Sequence, residues 1–133
     1  MITSIDHIVL TSKDVDKTIN FYCNVLGMKL EKSSNEHEGK LRIFLKFGKQ
    51  KINVHSEKEP FIPHAKKPIS GSVDICFLSD LPLKNWINIF RENHVEIEIG
   101  PVKREGAISK INSIYVRDPD MNLVEVSNKI WIT

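Results

Sequence analysis

Four side chains able to hold a metal ion stand inside apolar, strand-forming runs. His7 lies in IDHIVL, His55 ends KINVH, Asp74 lies in SVDICFL and Glu125 lies in LVEVS. An imidazole or a carboxylate among apolar residues is costly unless it is hydrogen-bonded, paired or bound to a cation. Two imidazoles with one or two carboxylates make a ligand set suited to Zn, Mn, Fe or Ni. Each residue also has an ordinary reading: a hydrogen-bonded histidine, a strand end, an edge-strand carboxylate, a side chain alternating outward to water. Placement separates the two readings. His7 and Asp74 occupy the same position in the two halves of an internal repeat, and His55 and Glu125 both fall in the terminal strand of their half. The register of that strand stays open, because Asn53 shares a face with His55 and either side chain can point inward. Tyr115 precedes the closing turn; if it faces the same way as Glu125 it can orient a substrate oxygen, the alternative being a core aromatic with a satisfied hydroxyl.

The elements that must position these residues read as β-α-β-β-β, twice. Ile5 to Leu10 is a β-rich run, and Asp14 offers an N-cap for a helix whose apolar face is Val15, Ile19, Tyr22 and Leu26. Gly27 ends it, Met28 to Glu31 is extended, and Ser33 to Lys40 reads as a polar loop. Leu41 to Phe47 and Lys51 to His55 form a hairpin around Gly48 to Gln50. Between Glu57 and Gly71, Pro60, Pro63 and Pro68 leave no room for a regular element. The second half restarts with the strand Ser72 to Leu78, Asp80 as cap, and a helix with Leu83, Trp86, Ile87 and Phe90 on its apolar face. Val95 to Ile99 alternates as a strand until Gly100 and Pro101 break it; Ile111 to Val116 and Leu123 to Ser127 are the last two strands. Each copy alone exposes one face of its sheet and must pack on something. The expectation is one domain over residues 1–133, with a first module of about 1–56, a linker of about 57–71 and a second module of about 72–128.

Composition excludes several classes. The chain has 133 residues, 41% hydrophobic and 27% charged, as in ordinary globular domains. A balance of 19 basic against 17 acidic residues is too even to argue for nucleic acid, and the lysines are scattered in short pairs. Cys23 and Cys76 form no CxxC pair, lie beside apolar residues and read as buried free thiols in a reducing compartment. The opening MITSIDHIVL has no basic segment followed by a long apolar run, so no secretory leader is expected. No stretch approaches the roughly 18 apolar residues of a membrane span, and a cytoplasmic location is expected.

Two segments carry a resemblance. IDHIVLTSKDVDKTINFYCNVLGMKL and IYVRDPDMNLVEVSN are similar to the opening and closing signatures of the vicinal-oxygen-chelate superfamily, which includes glyoxalase I, the bleomycin-resistance proteins and the extradiol dioxygenases. The matching residues are His7, Asp16 ahead of Phe21-Tyr22, Leu26-Gly27, the Asp118-Pro119-Asp120-Met121-Asn122 turn and Glu125. Within the superfamily the chain looks most like the glyoxalase-domain-containing protein 5 group, through Gln50 to His55, Gly71 to Leu78 and Glu98 to Val102. The resemblance implies an α+β fold of two tandem βαβββ modules, forming a curled, mostly antiparallel sheet around a cleft. It also implies metal ligands at His7, His55, Asp74 and Glu125, and pairing into a homodimer. Asp74 stands where glyoxalase I and the fosfomycin-resistance enzymes have His, and Met121 replaces the usual turn Gly.

Two functions follow from the resemblance. The first is an enzyme using a divalent ion (Fe, Mn, Ni or Zn) to chelate a small substrate through vicinal oxygens, as a lyase, isomerase or extradiol dioxygenase, with Glu125 as base and Tyr115 assisting. Glyoxalase I itself is disfavoured by Asp74 and by the lack of a basic cluster for glutathione. The second is a metal-free, bleomycin-resistance-like binding protein that stacks its ligand on Trp86, Tyr115 or Trp131. Lys103 and Arg104 either bind an anionic substrate or solvate their loop.

Overall fold

The computed structural model describes residues 1–35 and 40–130. They form eight strands and two helices in two units, Met1–Ser72 and Val73–Thr133. Each unit runs β-α-β-β-β and holds its own four-stranded sheet. The first has strands β1 (His7–Ser12), β2 (Lys29–Asn35), β3 (Lys40–Phe47) and β4 (Gln50–Ser56), in the order β1-β4-β3-β2. The second has β5 (Asp74–Leu78), β6 (Ile99–Glu105), β7 (Lys110–Arg117) and β8 (Leu123–Lys129), in the order β5-β8-β7-β6. In each sheet the first strand pairs parallel with the last, and the other two pairings are antiparallel. A parallel partner cannot be reached by a tight turn, so a helix makes the crossover from the first strand of each unit.

In the first unit that crossover is α1 (Val15–Ile19), which continues as a π-helical turn over Asn20–Val25. Asp14 caps α1 as expected, its Oδ1 accepting from the Lys17 N–H at 3.1 Å. The buried side chains are Thr18, Phe21, Tyr22 and Val25, whereas Ile19 and Leu26 are only half-buried. The expected stripe through Val15, Ile19, Tyr22 and Leu26 is therefore displaced by about one residue. Thr18 is drawn inward by a hydrogen bond of 2.7 Å between its hydroxyl and that of Ser12. Leu10, Leu45, Ile52 and Val54 form the core on this helix-side face of the sheet.

The second unit buries Leu83, Trp86 and Phe90 of α2 (Leu83–Glu92) with Ile114, Val116, Val124 and Val126. Asp80 does not cap α2. Pro82 stands at the cap position, and the Asn128 side chain of β8 accepts from the Leu83 N–H at 2.9 Å. Two further differences concern the strands. Strand β2 runs to Asn35, so part of the expected polar loop is extended backbone; His37 lies outside the described residues. Strand β6 begins at Ile99 and passes through Gly100 and Pro101, while residues 95–98 are irregular. Pro101 is tolerated because β6 is an edge strand and its register shifts between Ile99 and Val102. Gly100 is required there: at φ 109° any Cβ would run into the Ser113 carbonyl oxygen.

Candidate functional site

Both sheets turn one face to their helix and leave the other without one. Side chains alternate along a strand, and paired residues point the same way. In the first sheet the face away from α1 carries His7, Val9 and Thr11 of β1, paired with Lys51, Asn53 and His55 of β4; Phe44 of β3 stands on the other side of Asn53. In the second sheet the face away from α2 carries Asp74, Cys76 and Leu78, paired with Leu123, Glu125 and Ser127, with Tyr115 and Ser113 beside Glu125 and Ser127. All four expected ligands and Tyr115 thus lie on faces that the helices do not cover. The pairs His7 with His55 and Asp74 with Glu125 are each brought onto one face of one sheet.

His7 is braced. Its Nδ1 lies 2.8 Å from Asp6 Oδ2, and this hydrogen bond, with the imidazole beside it, holds the Asp6 carboxyl below its usual value. With Nδ1 engaged as a donor, Nε2 is the pole left to accept or ligate, the arrangement common for metal-binding histidines. A cavity of about 380 Å³ lies beside this end of the sheet, lined by Asp6, Glu31, Phe44, Lys46, Lys49 and Lys51 among others. Lys51 lies 4.0 Å over the Phe44 ring, and Lys46 pairs with Glu31 at 3.6 Å.

His55 and Asn53 differ in surroundings although both are buried, at 7% and 8% exposure. His55 packs against Phe61 from the proline-rich segment, ring centres 5.1 Å apart, and the Arg42 guanidinium covers Phe61 at 4.4 Å. Asn53 Oδ1 is buried and has no hydrogen-bond partner among the described residues.

In the second unit Glu125 is clamped by hydroxyls. Ser113 donates to Oε2 at 2.5 Å and Ser127 approaches the same oxygen at 3.3 Å; the two serines are fully buried and 2.7 Å apart. Cys76 Sγ lies 3.3 Å from the Ser127 hydroxyl, extending the chain. Desolvation raises the Cys76 thiol; the Ser127 hydrogen bond works against it, and the charge of Glu125, a hydrogen bond to Glu125 and the charge of Asp74 add to the rise, so the protonated thiol is favoured. Tyr115 stands beside Glu125, and its hydroxyl accepts from Arg104 Nε at 3.0 Å. Arg104 is thus engaged within the sheet. Trp86 lies on the buried side of α2, donating to the Ser79 hydroxyl at 2.8 Å, so it takes no part in the open face. Trp131 lies outside the described residues. Cys76, expected as a buried thiol, is exposed, because it stands on the face that α2 leaves uncovered, and Cys23 is half-buried. Single polar residues in apolar runs do not reveal the serine clamp; alternation along KINSIYV and LVEVS puts Ser113, Tyr115, Glu125 and Ser127 on one face.

His7, its ring held through Nδ1, and Glu125, its Oε2 held by serine hydroxyls, each have the donor chemistry that a divalent ion takes. Each module supplies two of the four expected ligands. Among the described residues no three His, Cys, Asp or Glu side chains are grouped closely enough to hold an ion together. The same residues contain no helix long and apolar enough to cross a membrane.

Several known proteins are similar to this chain. The family model of the glyoxalase/bleomycin resistance protein/dioxygenase superfamily matches residues 4–126. Virulence protein STM3117 of Salmonella typhimurium is 40% identical over 130 residues, covering 98% of this chain and 87% of that protein. Its crystal structure aligns with a TM-score of 0.89 over 98% of this chain and 99% of its own. Glyoxalase domain-containing protein RDO1 of Mycosarcoma maydis is 43% identical over 127 residues, 96% of this chain and 69% of that protein. Metallothiol transferase FosB of Staphylococcus epidermidis is 30% identical over 128 residues, 94% of this chain and 81% of that protein. With the family model spanning nearly the whole chain and both modules built on its strand plan, this protein belongs to the glyoxalase/bleomycin resistance protein/dioxygenase superfamily.

Proposed function

We propose that the protein is a divalent-metal-dependent enzyme that binds a small substrate through two neighbouring oxygens. The observation that carries the reading is Glu125: two buried serine hydroxyls hold one oxygen of a carboxylate that stands on the sheet face its helix leaves uncovered. The relative named metallothiol transferase supports it and adds thiol transfer to the lyase, isomerase and dioxygenase chemistries. His7, His55, Asp74 and Glu125 are the proposed ligands, drawn from one chain or from two copies in a homodimer. An ion held by them would supply Lewis acidity toward the substrate oxygens. The chain's own residues do the rest. Asp6 keeps the His7 ring oriented, and Ser113 and Ser127 fix the carboxylate of Glu125. Glu125 is the base that takes a substrate proton. Tyr115, whose hydroxyl already accepts from Arg104, has its own proton to donate to a substrate oxygen.

The absence of a three-donor group among the described residues favours a second reading, a metal-free protein that binds a small molecule. Metal analysis of tag-free protein separates the two. Near-stoichiometric Fe, Mn, Ni or Zn in the wild type, lost in a His7→Ala/Glu125→Ala double variant, is the expected result. Wild-type protein that carries no metal and takes up none on titration would leave the binding protein as the function.

A further inference from the structure

The two modules can be superposed through their parallel strand pairs, and this identifies the residue that answers to Glu125. His7 opens β1 and Asp74 opens β5. Two residues further on, Val9 pairs with Asn53, and Cys76 pairs with Glu125. Asn53 therefore holds the Glu125 position in the first module. His55, paired with Thr11, holds the position of Ser127, which is paired with Leu78.

Asn53 is also in chemically poor surroundings. Its neighbours on the face away from α1 are Val9 on one strand and Phe44 on the other, and its Oδ1 is buried with no hydrogen bond from any described residue. A buried carbonyl oxygen without a donor is a standing cost, and an apolar side chain of similar shape avoids it. A sequence that keeps an amide between Val and Phe gives up stability for another purpose.

We propose that Asn53 is a substrate-positioning residue: its Oδ1 accepts a hydrogen bond from an O–H or N–H group of the bound small molecule. The amide is neutral at every physiological pH, so its acceptor is available to a ligand O–H or N–H without any change of protonation, and a ligand presenting only a methyl group there leaves it unpaired. The proposal rests on the chelating small-molecule site proposed above.

The test is Asn53→Leu in the full-length protein. Without ligand the variant is expected to melt higher than wild type by about 2–6 °C, because Leu packs between Val9 and Phe44 and leaves no orphaned acceptor. Calorimetric titration with acetohydroxamate, which chelates through two oxygens and carries an N–H, is expected to show at least roughly tenfold weaker binding to the variant. N-methylacetohydroxamate, which chelates as the anion through both oxygens and then has neither an N–H nor an O–H to donate, is expected to bind both proteins alike. A lower melting temperature would show that Asn53 serves the fold, and would overturn the proposal. Unchanged acetohydroxamate affinity would overturn it as well. If wild type fails to bind either hydroxamate, it is the chelating-site reading that fails, and the sign of the melting shift alone decides the role of Asn53.

Discussion

Glu125 reaches the open face of its sheet with one oxygen already engaged, and the engagement comes from side chains that have no other exposure. Ser113 is 12 residues away in sequence and directly across the strand pair from Ser127. Removing its hydroxyl leaves Glu125 Oε2 with only the longer Ser127 contact. Ser113→Ala is expected to cost about 1–2 kcal/mol in urea unfolding, the range for a hydrogen bond to a carboxylate in a partly buried setting. Cys76 marks the far end of the same hydroxyl chain, and its raised thiol makes a separate prediction. Desolvation and two nearby carboxylates disfavour the thiolate, so the folded protein ionises Cys76 only above the ordinary value of 9.0. In a Cys23→Ser background, alkylation by iodoacetamide at pH 7.5 should run slower than for unfolded protein and rise only on passing that value. Faster alkylation of the folded state would show an activated thiol. The sign for stability follows: with a raised folded value, this contribution is intact at neutral pH and is lost as pH climbs past 9.0.

Elements hold these residues through contacts between positions far apart in the chain. Asn128 is the clearest case. Its Oδ1 accepts from the Leu83 N–H, and its Nδ2 donates to the carbonyls of Ser79 and Leu81, so one residue of β8 fixes the entire approach to α2. Asn128→Ala should destabilise by about 1–2 kcal/mol, at the upper end for a lost helix cap, read as a lower urea midpoint with unchanged slope. Asp80→Ala should be nearly silent, and a larger loss there would return the cap to Asp80. The sequence showed Asp80 because capping rules are local, and it hid Asn128 because a cap supplied from 45 residues away has no local signature. The same division applies elsewhere. Asp14 was legible, its bond to Lys17 being within one turn. Gly100-Pro101 read as a strand end because breakers argue against strands, whereas an edge position and a shifted register let β6 pass through them. At the site, alternation and the internal repeat sufficed to pair His7 with Asp74. The choice between Asn53 and His55 needed the register of β1 on β4, which depends on a parallel pairing across more than 40 residues.

At the scale of the whole molecule the two units repeat one plan, and neither is large. Met1–Ser72 and Val73–Thr133 each have four strands and one crossover helix, with one sheet face buried and the other carrying His, Asn, Lys and Thr or Asp, Cys, Glu and Tyr. A unit of about 60–70 residues buries only about 60% of its unfolded surface and is marginal alone. The reading of residues 1–133 as one domain therefore predicts joint unfolding. Far-ultraviolet and near-ultraviolet dichroism should give one coincident thermal transition, and the calorimetric enthalpy should equal the van't Hoff value. The Asn128→Ala variant, altered only in the second unit, should then lower the transition seen by probes in both units. Each unit holds one tyrosine. Tyr22 is buried under the first sheet and Tyr115 sits on the second, so fluorotyrosine resonances report each unit separately. If the Tyr115 signal melts early in Asn128→Ala while Tyr22 keeps the wild-type midpoint, the units fold independently and the chain is two domains.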